Sequence, residues 1–177
     1  MDDKKDLFIA WLKDAYAMEK SIEATLREHA KDAKDYPMVQ EKISQHADTT
    51  RDQGEKLKEL IENMDESIPR IKAVSGEIMG KIQSYAKKFK EDKVIKNTLM
   101  DIATEAFEIS TYKSLILTAE RLGDDHAKEV LESILAEEEE MSGWAEENLP
   151  MLMEEFFMQE TYNDKDDVYE NDEDDRI

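Results

Sequence analysis

Apolar residues spaced three and four apart run through four long stretches of the chain with little to interrupt them. Only an α-helix brings such positions onto one face. In the first stretch that face is marked by Phe8, Leu12, Ala15, Ile22 and Leu26, and Glu19 falls in register among them. A carboxylate aimed at an apolar interior is costly unless something compensates it. The fold therefore has to supply both a long helical bundle and a partner for that acid.

Five glycines and three prolines in 177 residues favour long helices over many short strands. Hydrophobic residues at 40% can build a core, while 39% charged residues imply a heavily solvated surface. The formal net charge of −21 repels phosphate backbones, so nucleic acid is not an expected partner. The absence of cysteine excludes disulfides, thiolate nucleophiles, zinc knuckles and iron–sulfur clusters. MDDKKDLF lacks the apolar core of a signal peptide, and no run approaches about 20 apolar residues. The expectation is a cytoplasmic protein with no membrane partner. There is no Gly-rich phosphate loop and no supported Ser–His–Asp arrangement.

Helix A is expected from about Lys5 to Lys31. Asp35-Tyr36-Pro37 reads as a cap with proline in the first turn, opening helix B to about Met64. Ser67-Ile68-Pro69 starts a medium helix to about Phe89, which carries Lys72, Lys81, Lys87, Lys88 and Lys90. Helix C runs from about Asp92 to Leu122 and stops at Gly123, and Asp124 or Asp125 caps helix D, to about Leu149. Pro150 opens a short helix, PMLMEEFFMQE. Residues 1–162 form the bundle; the acidic 163–177 has little to bury and reads as a disordered tail. Short A–B and C–D connections make two antiparallel hairpins, joined by one long helical crossover. That is the wiring of an all-α, ferritin-like four-helix bundle.

The interruption at Glu19 recurs in every long helix. Helix B places Val39, Ile43, His46, Thr50, Gln53, Leu57 and Met64 inward, apolar at both ends and polar in the middle. Helix C gives Leu99, Ile102, Glu105, Ile109, Tyr112 and Ile116, with Glu108 on an adjoining row. Helix D has two candidate rows, one through Glu138 and one through Glu137. At a rise of about 1.5 Å per residue, Glu19 lies roughly 18 Å before the end of helix A and His46 roughly 14 Å into helix B. Glu105 and Glu108 lie roughly 21–26 Å before the end of helix C, and Glu137 and Glu138 about 20–21 Å into helix D. The polar residues form one layer.

Such a layer is not buried without compensation, since each uncompensated charge costs several kcal/mol. Lys113 can reach from helix C, while Lys20 points about 100° away from Glu19. Protonation can neutralise one or two of the acids, because close carboxylates raise each other's pKa. A divalent metal pair neutralises all of them, and oxygen with imidazole donors suits iron or manganese. Each residue also has a plainer meaning. Glu19 can pair with a base at the bundle edge, His46 can be a satisfied core histidine, and Glu105 with Glu108 can sit half-buried beside Lys113. His29 and His126, near helix ends, read as surface residues.

WLKDAYAMEKS, HADTTRDQGEKL, EAFEISTYKSLI and LAEEEEMSGWAEENLP, in that order, resemble the ferritin-like stress-protein family of the YciE/YciF type. The resemblance runs from about Asp6 to Glu160. It implies a homodimeric bundle, induced under stress, with a dinuclear metal centre. Carried across, it points to Glu19, His46, Glu105, Glu108 and Glu138 as ligands of iron or manganese, with Glu137 the substitute for Glu138. Tyr16, Thr50, Gln53 and Tyr112 would orient them, and a redox-active centre would act on oxygen or peroxide. The chain departs from the pattern at Thr49 and Ala106, where relatives often carry Glu and His, and at Met141, where a ferritin has the His of Glu-x-x-His. The rival reading is a metal-free helical dimer acting as a structural or partner-binding stress protein; a storage cage is less favoured, because nothing specifies a shell.

Overall fold

The structure, a computed structural model, describes residues 2–68 and 93–170, with side chains for 3–68 and 93–158. Four helices account for nearly all of these residues: α1 (Asp2–Asp32), α2 (Pro37–Asn63), α3 (Lys93–Leu122) and α4 (Asp125–Glu170). The crossover helix expected at 69–89, with its lysines, lies outside the described residues.

Helix boundaries follow local chemistry. Pro37 occupies the first turn of α2, but the cap is Tyr36, which makes no side-chain capping bond. Asp35 is instead exposed, 3.9 Å from Lys34 Nζ. What ties the turn together is Gln40, whose Nε2 donates to the Ala30 carbonyl at 3.1 Å. Two helices end alike. Gly123 (φ 72°) and Asp65 (φ 61°) both adopt the left-handed conformation that closes a helix. After each, a backbone N–H reaches back five residues: Asp124 to Ala119 at 3.0 Å and Glu66 to Ile61 at 3.2 Å. Asp124 then caps α4, its Oδ1 accepting from the Ala127 N–H at 2.9 Å.

Pro150 does not begin a separate helix; α4 passes straight through it. Proline removes the hydrogen bond to the carbonyl of Glu146, yet both residues lie on the exposed side. Leu152, Met153 and Phe156 meanwhile hold the following turns against the core. The methionine- and phenylalanine-rich segment is helical as expected, but as a continuation. The helix extends to Glu170, into the acidic stretch read as a tail; 171–177 lie outside the described residues.

Helix α1 packs on α2 and α3, and α4 packs on α3 and α2, so the four close a ring around a shared interior. Lys93 Nζ and Asn97 Nδ2 of α3 bond to Asp32 at the end of α1, at 2.6 and 3.1 Å. Lys13 near the start of α1 meets Glu66 just past α2 at 2.8 Å. The chain thus leaves α2 at one end of the bundle and starts α3 at the other, the ferritin-like arrangement. No helix among the described residues is long and apolar enough to cross a membrane.

The core comes in two pieces. One cluster gathers Phe8, Leu12, Leu57, Ile61, Leu115, Leu131 and Ile134 with their neighbours. The other gathers Ile22, Leu26, Val39, Ile43, Ile95 and Leu152. Between them lies the polar layer.

Candidate metal centre

The inner rows of α1, α2 and α4 are those the spacing marks, and they aim Glu19, His46 and Glu138 at one point. Helix α3 is turned from the row expected for it. Its buried row runs through Ile95, Thr98, Asp101, Glu105, Glu108, Tyr112, Leu115 and Ala119, flanked by buried Asn97 and Thr104, while Leu99 is 49% exposed. Ile102, Ile109 and Ile116 are only half-buried. Glu105 and Tyr112 belong to both rows, and the turn brings Glu108 fully inward.

All five residues are at most 4% exposed. They form two triads, His46–Glu105–Glu138 and Glu19–Glu108–Glu138; in each, one donor atom per residue lies within 4.8 Å of the others. Glu138 serves both. Its neighbour Glu137 is the half-exposed member of the pair, held outside the layer by Lys56 Nζ at 2.7 Å.

Few bonds satisfy these acids internally. His46 Nε2 lies 2.9 Å from Glu105 Oε1. Tyr112 donates its hydroxyl hydrogen to Glu19 Oε1. Gln53 Nε2 donates to Glu138 Oε1 and, at 3.1 Å, to Glu137 Oε2. The remaining buried oxygens, Glu19 Oε2, Glu105 Oε2, Glu138 Oε2 and both of Glu108, have no partner. Each buried unsatisfied group costs about 1–3 kcal/mol. The nearby cations are engaged elsewhere: Lys20 with Glu23 at 3.0 Å, and Lys113 with the outer acid Glu139 at 2.8 Å, so Lys113 does not enter the layer.

Electrostatics register the crowding. Burial, then the charge of Glu138, raises Glu19 well above the usual carboxylate range against the opposing Tyr112 bond. Burial with Glu19 and Glu138 does the same to Glu108. Burial followed by Glu105 pushes Glu138 up to about 9, and burial pushes Glu105 up to about 7. Burial lowers His46, which favours the neutral, metal-ligating imidazole. Without a cation, the layer holds protons at neutral pH.

Of the four orienting residues expected, Gln53 and Tyr112 touch the acids. The Thr50 hydroxyl donates to the His46 carbonyl at 3.0 Å instead, and Tyr16 packs into an apolar cluster. The departures from the family pattern at 49 and 106 face away from the layer. Thr49 donates to the Gln45 carbonyl at 3.3 Å, and Ala106 is exposed. Neither removes a donor from inside.

One functional-looking pair escapes sequence reasoning. His29 is not a free surface residue: its Nδ1 lies 2.7 Å from Oδ1 of Asp101, which is buried on α3 one turn before Glu105. The signal available was the spacing of Asp101, Glu105, Glu108 and Tyr112, a single row once apolarity is ignored. His126 is exposed, as expected.

Comparison with solved structures shows the same fold elsewhere. A crystal structure of a Xanthomonas campestris pv. campestris protein, 28% identical, matches with a TM-score of 0.77 over 90% of this chain and 99% of its own. The stress protein YciF of E. coli, 24% identical, matches at 0.73 over 84% and 96%. YcfI of Rhodopseudomonas palustris, described as a structural protein and also 24% identical, matches at 0.71 over 81% and 92%. Residues 3–158 match the profile of the family described as a domain of unknown function, DUF892. The chain therefore belongs to that family, the YciE/YciF-type group whose motifs its sequence carries.

Proposed function

We propose that this is a cytoplasmic, ferritin-like stress-response protein holding two iron or manganese ions in the polar layer, with Glu19, His46, Glu105, Glu108 and Glu138 as ligands. The observation that carries the reading is a pair of buried triads sharing Glu138, with carboxylate oxygens left unpartnered. One imidazole and four carboxylates, with no thiolate, fit the donor preference of those ions.

When bound, such ions supply Lewis acidity and one-electron chemistry toward oxygen or peroxide. The chain's own residues do the rest. Tyr112 and Gln53 fix the orientation of Glu19 and Glu138 by hydrogen bonds. The two apolar clusters exclude water from both sides of the layer.

Protein purified without chelator and supplemented with iron and manganese should carry roughly two ions per chain, as in other two-metal sites. Metal no higher than in a chelated control overturns the reading in favour of a metal-free helical protein.

A second feature supports a homodimer. The outer face of α3 exposes Leu99, Phe107 and Leu117 (49, 50 and 59%), and Ala103, Ala106, Ser110 and Ser114 lie exposed between them. In a chain of net charge −21 these seven positions carry no ionisable group, and the exposed cation beside them, Lys113, is paired with Glu139 at 2.8 Å. Two copies of so acidic a protein approach most easily where neither presents charge. Light scattering on the purified protein should give twice the chain mass; a monomer at micromolar concentration overturns the pairing.

A further inference from the structure

We propose that Tyr112 is itself a ligand, its phenolate oxygen joining Glu19, Glu108 and Glu138 around a ferric ion in the all-oxygen half of the centre. This rests on the metal reading above and adds to it a donor and a preference between the two halves.

The two triads are chemically unequal. His46 gives one an imidazole nitrogen, while the other is built from carboxylates alone. Hard oxygen donors favour hard cations, and adding a phenolate shifts that half further toward trivalent iron. Tyr112 is placed for this. It is fully buried, its ring belongs to the cluster below the layer, and its hydroxyl meets Glu19 Oε1. An oxygen in contact with one ligand atom needs only a small shift to share the ion that atom binds. One turn back on the same helix lies Glu108, both of whose oxygens are buried with no other side-chain donor at hand. Thr50 and Thr104, buried hydroxyls near this level, are committed to backbone carbonyls.

In the metal-free protein the phenol donates its hydrogen to Glu19 Oε1. A multivalent cation beside it favours the phenolate instead. On loading, the phenol O–H bond breaks and an O–Fe bond forms. The phenolic proton leaves to solvent together with the protons that the ion displaces from the ligating carboxyls. Iron enters as ferric ion, so no electron is transferred.

The test is to titrate chelator-stripped protein with iron(III) nitrilotriacetate, following iron per chain, the visible spectrum and resonance Raman scattering. A phenolate-to-iron charge-transfer band with tyrosinate ring modes is expected in the unaltered protein. In Tyr112→Phe the band should vanish, with one fewer ferric ion per chain at the same iron concentration. Iron bound without the band, or a band that survives Tyr112→Phe, overturns the ligand assignment and leaves the metal reading standing. Retention of manganese but not ferric iron overturns the ferric preference, and no retained metal of either kind overturns the underlying site. If the phenylalanine variant is too unstable to load, ferric iron bound by unaltered protein without tyrosinate modes still overturns the assignment.

Discussion

The two faces of α3 reverse the usual rule. Its inward face carries Asp101, Glu105, Glu108 and Tyr112, buried to within 5% of completely, while its outward face shows Leu99, Phe107 and Leu117 about half exposed. Helix α1 does the opposite along most of its length, burying Phe8, Leu12, Ile22 and Leu26 around a lone Glu19. A helix normally holds its place by burying an apolar stripe. Helix α3 buries carboxylates instead, so its inner face needs a counter-charge and its outer face needs a cover. On the proposed reading the first is metal and the second is another copy of the chain.

The strongest way to break the contrast is Glu138→Ala, which removes the carboxylate common to both triads. It should abolish retention of both ions, and with them the thermal stabilisation that metal gives. At a metal concentration a hundredfold above Kd, that stabilisation is about 2.7 kcal/mol per site. Elemental analysis and paired melting curves read both. Retention of a full metal complement would detach Glu138 from the centre.

Next comes Glu108→Leu, measured in chelator. Since nothing but a proton shared with Glu19 pairs Glu108, replacing the carboxyl with a similar apolar volume should leave the metal-free protein at least as stable, with a gain of at most about 1–3 kcal/mol, while weakening metal retention. Destabilisation in chelator would mean that the carboxyl is satisfied after all.

The acid face can also be probed with pH. Glu138 and Glu105 are raised from 4.5 to about 9 and about 7. Between those limits the folded chain binds more protons than the unfolded one, so stability falls as pH rises. Their contribution is complete below about 4.5 and is lost through about 7 and 9. Metal-free protein should therefore melt higher at pH 5.5 than at pH 8.5, and added metal should flatten the difference by replacing the protons. A metal-free protein that melts higher at pH 8.5 would remove the buried acids as the source.

Phe107→Glu tests the outer face. Placing a like charge at the centre of the stripe should convert dimer to monomer on light scattering, with metal content and monomer fold unchanged. The smallest expected effect is Glu137→Gln, which removes the partly exposed ion pair with Lys56 and perturbs the acceptor of the 3.1 Å bond from Gln53. It should cost at most about 1 kcal/mol and leave metal retention intact.

How much of this was legible depended on the helix. In α1, α2 and α4, polar interruptions sit inside otherwise apolar rows, so period alone located Glu19 and His46 and narrowed α4 to Glu137 or Glu138. In α3 the apolar residues lie on the wrong side, and a reading that lets hydrophobicity choose the inner face picks Leu99 and Ile102 over Thr98 and Asp101. Hence Asp101 and its bond to His29 were missed. Pro150 misled for a different reason: its lost hydrogen bond falls on the solvent side, and packing by Leu152 keeps the helix whole. Tyr36 replaced Asp35 as cap because the Gln40 side chain, absent from any local cap motif, stitches the two helices together. The level of the acid layer, by contrast, needed only the rise per residue and two short loops.

Because grease fills the top and bottom of the bundle and acid fills only the middle storey, cohesion and reactivity reside on separate floors. Substitutions in the central storey can retune ion choice or strip it away while the ends keep the helices clasped. A scaffold divided in this way can lose, regain or exchange its chemistry over evolutionary time without passing through an unfolded ancestor.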